Sequence, residues 1–98
     1  MTTYRAPLDD IQFVFRELAG LEEIVTLPGF EDANPELIDA ILAEAGKLAS
    51  NVLEPLRRPG DREGCRLENG VVRTPKNYSQ AYVRFIEGGW NGIPFSTK

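Results

Sequence analysis

From Leu37 to Leu56 the chain repeats apolar residues at a spacing that a helix serves. Leu37, Ile38, Ile41, Leu42, Ala45, Leu48, Ala49, Val52, Leu53 and Leu56 share one arc of about 160° on a helical wheel. Glu36, Asp39, Glu44, Lys47, Ser50, Asn51 and Glu54 take the other side. Asn34 offers an N-cap and Pro35 a first helical residue. The pattern predicts a helix over 34–54 whose apolar arc is core. Pro55 falls inside the periodicity, where its ring removes a backbone hydrogen bond, so it must end that helix at Glu54 or kink it.

Two more helices flank this one. The first is expected over 7–19, with Pro7 at its first position and Asp9 and Asp10 in the first turn, where the helix dipole favours acids. Leu8, Ile11, Val14, Phe15, Leu18 and Ala19 form its apolar face, Phe13 points away, and Gly20 supplies the stop. The other is expected over 75–87, opened by Thr74-Pro75 and closed by Gly88-Gly89. Tyr78, Ala81, Tyr82, Phe85 and Ile86 repeat along it at i, i+3, i+4, i+7 and i+8. Residues 21–33 make a connection too long for a simple turn. Leu21, Ile24, Val25, Leu27 and Phe30 suggest that it packs down. Asn69-Gly70, between short strand-like runs, predicts a β-hairpin over 66–73. Strands that short are expected to lie on a helix or on another domain. The fold class is therefore all-α, with about three amphipathic helices and one small hairpin, in one domain over 1–98.

The composition, 42% apolar and 27% charged, suits a soluble globular chain. A net charge of −4 argues against nucleic acid, because phosphate contacts need clustered Lys and Arg. The nearest basic cluster, Arg57, Arg58, Arg62 and Arg66, is interrupted by Asp61, Glu63 and Glu68. No apolar run approaches the ~20 residues of a membrane span, and the first ten residues lack the order of a signal peptide. A cytoplasmic or otherwise reducing location is the expectation.

The chemistry offered is sparse. With no histidine, Ser-His and Cys-His pairs and imidazole metal sites are absent. Cys65 stands alone and reads as structural. The acid pairs Asp9/Asp10, Glu22/Glu23, Glu31/Asp32 and Asp61/Glu63 fall at helix starts and in loops, where carboxylates are solvated, whereas general acid–base work needs a desolvated one. No phosphate-cradling glycine motif or metal-ligand cluster occurs. No catalytic, cofactor-binding or metal residue is assigned.

The order of features is nonetheless distinctive. A long amphipathic helix carries Val52-Leu53-Glu54-Pro55. A loop with Asp61 and Gly64 follows, then a helix ending in Gly88-Gly89, then Trp90-Asn91-Gly92-Ile93-Pro94. This resembles the N-terminal helical domain of acyl-CoA dehydrogenases across almost the whole chain. TYRAPLDDIQFVF and LPGFEDANPELIDAIL look like a bacterial subgroup that includes 3-methylmercaptopropionyl-CoA dehydrogenase-like enzymes. The resemblance implies a flavoprotein of fatty acid metabolism in which FAD, held elsewhere, takes hydride from the β-carbon of an acyl-CoA while a glutamate in a later helical bundle removes the α-proton. It implies an incomplete domain here, cut before the FAD-binding β-domain, with no catalytic residue or FAD ligand of its own. Trp90, Ile93 and Phe95 then either approach the acyl pocket or simply pack between domains, the plainer of the two. The partners implied are the parent's remaining domains and its acyl-CoA substrate. Left without them, the helix faces are expected to pair with a second copy. A free-standing helical interaction module is the alternative.

Overall fold

Asn34 opens the longest helix as a cap should, its Oδ1 accepting the Leu37 N–H at 2.9 Å, with Pro35 in the first turn. The computed structural model describes residues 4–96. It comprises α1 (Leu8–Phe13, followed by a π-helical turn Val14–Leu18), α2 (Leu21–Ile24), α3 (Pro35–Leu48, followed by a π-helical turn Ala49–Leu53) and α4 (Glu54–Glu63). Strands β1 (Arg66–Glu68) and β2 (Val71–Arg73), α5 (Tyr78–Glu87) and a 3₁₀ turn Trp90–Gly92 complete it. The fold class is all-α with one hairpin, and the chain divides into two compact units, Met1–Ser50 and Asn51–Lys98.

In the first unit α1 packs on α3. Gly46 faces α1, and a Cβ there would make ordinary contacts, 3.6 Å from Leu8 Cδ1 and 3.8 Å from Ala6 Cβ. Ser50 Oγ donates to the Tyr4 carbonyl at 2.9 Å, and Arg16 pairs with Asp39. Pro7 caps α1 instead of entering it, and Asp9 and Asp10 hold the first turn. The π turn, closed by Ala19 N–H donating to Val14 O, takes more than 3.6 residues per revolution. It swings the apolar face round, so Val14 and Leu18 are exposed along with Phe13. Gly20, left-handed at φ 69°, ends the helix and starts α2.

The connection after Gly20 packs down only in part. Leu21 is buried, but Leu27 and Phe30 are exposed. Pro28-Gly29 forms a tight turn, with Gly29 at φ 90° and Phe30 N–H donating to Leu27 O, which carries both side chains outward. The apolar arc of α3 is not core either. Leu37 and Ile41 are exposed and α3 has no fully buried residue, because α1 covers too little of it.

At Pro55 the structure sets aside one of the two expected outcomes, an end at Glu54. The helix neither stops at Glu54 nor gives way to a loop. The π turn Ala49–Leu53 absorbs the change, and α4 restarts at Glu54 and runs to Glu63. Pro55 then sits in a first turn, where a missing N–H leaves no bond unmade. Asp61 is helical, and Gly64, at φ 67°, ends α4. The third expected helix also starts late. Thr74-Pro75 does not cap it, because Tyr78 N–H donates to Pro75 O across a turn with Asn77 at φ 73°. Glu63 Oε2 accepts the Lys76 N–H at 3.0 Å, and α5 begins at Tyr78.

The hairpin forms on Asn69-Gly70, both at positive φ, with Glu68 paired to Val71 and Arg66 to Arg73. Both of its strands are exposed. Among the described residues, no helix is long and apolar enough to cross a membrane.

Two glycines separate tolerance from collision. Gly46→Ala should raise stability by about 0.5–1 kcal/mol, since Ala is the better helix former and its methyl fits. Gly60→Ala should lower it by about 1–2 kcal/mol, because its Cβ would come within 2.6 Å of Tyr78 Cζ. Urea unfolding followed by circular dichroism reads both.

Candidate functional site

Gly60 is buried because Tyr78 lies across it. That contact joins α4 to α5, and beside it runs an open groove of about 730 Å³ within the second unit. Leu53 and Leu56 form one wall, and Ala81, Tyr82 and Phe85 the other, with the Tyr78 ring between. The lining is almost wholly apolar. Ala81 is buried, while Tyr82 and Phe85 stack with ring centroids 6.3 Å apart. Arg57 stands at the edge, its Nε and Nη2 donating to Glu54 at 3.1 Å, and the hydrogen bond and charge of that carboxylate push its pKa further up. Such a groove can take an apolar surface. It presents no activated nucleophile and no desolvated acid.

A smaller hollow on the other side of Tyr78 is lined by Arg58, Asp61, Gly64, Cys65 and Pro75. Cys65 is free and exposed. The eight residues of the four acid pairs are all exposed. Glu31 takes up a turn, with both carboxylate oxygens accepting the Gly29 N–H at 3.1 Å. Its own backbone N–H and that of Gly29 hold its carboxyl below the ordinary 4.5. Among the described residues, no group of His, Cys, Asp and Glu is placed to hold a metal ion.

Trp90, Ile93 and Phe95 lie on a run of turns after α5. Gly89, at φ 78°, breaks the helix, and the Gly92 N–H donates back to its carbonyl. The Trp90 indole folds over Gly88, where a Cβ would meet Nε1 at 2.6 Å. Ile93 and Phe95 are exposed, at 64% and 73%. None of the three lines the groove. The sequence set Tyr78, Ala81, Tyr82 and Phe85 on one helix face without saying what lies opposite them, so the groove was not foreseen. Their helical spacing fixed their shared face, and nothing local says whether that face is covered.

No protein-family model matches the chain. It is 35% identical over 91 residues to 3-methylmercaptopropionyl-CoA dehydrogenase of Ruegeria pomeroyi, a match that covers 93% of this chain and 16% of that relative. The chain thus spans a small part of the length of the curated relative it matches.

The Gly29–Glu31 turn carries a pH signature. Because Glu31 is depressed on folding, its small contribution is present above 4.5 and is lost as pH falls through its lowered value. The Gly29 amide proton, followed by NMR, should titrate with a midpoint below 4.5.

Proposed function

We propose that this chain is the N-terminal helical domain of an FAD-dependent acyl-CoA dehydrogenase, whose whole protein carries out α,β-dehydrogenation of an acyl-CoA thioester in the cytoplasm. The observation that carries the reading is the 35% identity to 3-methylmercaptopropionyl-CoA dehydrogenase along 93% of this chain. The all-α fold with one hairpin agrees with it.

In this reading the domain is inactive alone and helps wall the acyl pocket of the parent. Trp90 folds back to close α5, while Ile93 and Phe95 offer their exposed surface to the pocket or to a neighbouring domain. The remaining domains of the parent, or a second copy, cover the exposed helix faces. The described residues do not fit a flavin dinucleotide. The groove is almost wholly apolar, and the guanidinium at its edge is already engaged by Glu54. No step of the dehydrogenation is assigned to a residue of this chain. The exposed groove is also what a helical interaction module without enzymatic activity would show, and one experiment separates the two readings.

The protein purified from its native gene should be yellow and longer than 98 residues. Its flavin should bleach on anaerobic addition of an acyl-CoA thioester such as 3-methylmercaptopropionyl-CoA. A colourless 98-residue product that binds no FAD would overturn the enzyme reading and favour the interaction module.

A further inference from the structure

The chain exposes 8097 Å². A compact monomer of 10.9 kDa is expected to expose about 5,600 Å². Even two separate compact bodies of half that mass would expose only about 6,700 Å². The surplus over that lenient limit, about 1,400 Å², exceeds the ~800 Å² that each partner contributes to an interface of ordinary size.

The charge is divided as unevenly as the surface is large. Met1–Ser50 carries ten Asp and Glu against three Lys and Arg, net −7, and Asn51–Lys98 carries five against eight, net +3. The groove lies in the cationic unit, with Arg57, paired to Glu54, at its edge and Arg58 with Asp61 on the adjoining hollow. The anionic unit holds a helix of complementary character. On α3, Leu37 and Ile41 are exposed one turn apart, and Glu36 and Glu44 flank them. Apolar anchors at i and i+4 are what a helix lays into an apolar groove.

We propose that the α4–α5 groove is a self-association site that receives the acidic, apolar-faced α3 of a second copy of this chain. The exchange is reciprocal in a two-fold dimer, so each copy gives one helix face and fills one groove. Opposite net charge orients the encounter, and apolar burial holds it. Neither the surface surplus nor the charge division depends on the dehydrogenase reading.

Sedimentation equilibrium of the 98-residue chain is the test. The wild type should dimerise, and more weakly at high salt. Tyr82→Glu in the groove and Ile41→Glu on α3 should each weaken association about tenfold or more, since each buries an unpaired charge. Both positions are exposed, so far-UV circular dichroism should be unchanged. Mixing the two variants should restore part of the association, because one of the two contacts then has an intact groove and an intact helix. Val83→Glu, exposed on α5 but outside the groove, should dimerise like the wild type. A monomer at every concentration, a mixture that fails to associate, or a Val83→Glu monomer would each overturn the proposal.

Discussion

The Tyr78 ring occupies the space a side chain at position 60 would need, and the second unit is arranged around that contact. It sets how closely α4 and α5 approach. Pro75 is buried nearby, and Glu63 takes the Lys76 N–H across the turn that leads into α5. The same contact leaves Leu53 and Leu56 facing Tyr82 and Phe85 across an open groove. Full burial of such side chains is worth about 1.5–3 kcal/mol each, and here most are only half withdrawn from water. In the first unit Gly46 carries no such constraint, since a methyl there would fit against Leu8 and Ala6.

What could be read in the sequence had a local cause. Asn34 caps because its side chain reaches three residues on, and Asn69-Gly70 turns because both residues tolerate positive φ. Gly20 and Gly89 stop helices for the same backbone reason. The misreadings had causes that lie farther along the chain. Pro55 left an ending or a kink open, since its suitability for a first turn depends on the π turn before it. Pro75 looked like a helix start, but Asn77 in the left-handed region and the Glu63 carboxylate move that start to Tyr78. Whether an apolar stripe is covered depends on its neighbours, which periodicity does not encode, so the arc of α3 was read as core and the groove was not foreseen. For Trp90, nothing in sequence signals that the indole folds over Gly88; the absence of a side chain at 88 is the one hint.

The functional reading joins two unlike observations. Similarity to a much longer dehydrogenase runs along nearly all of this chain, and the chain keeps large apolar faces in water. Contiguous exposed apolar surface on a soluble chain marks a place where something else packs. The hairpin, exposed on both strands, and the segment from Trp90 to Phe95 fit that description as well as the groove does. What they provide is shape and apolar area.

The central claim is that the α4–α5 face is finished by another surface, and amide hydrogen exchange measured across a dilution series tests it most directly. If the claim holds, protection of the amides in Glu54–Glu63 and Tyr78–Glu87 falls as the chain is diluted, while the turn at Asn69-Gly70 exchanges quickly throughout. Equal and strong protection of both helices at every concentration would contradict it, because the groove would then be stable open to water.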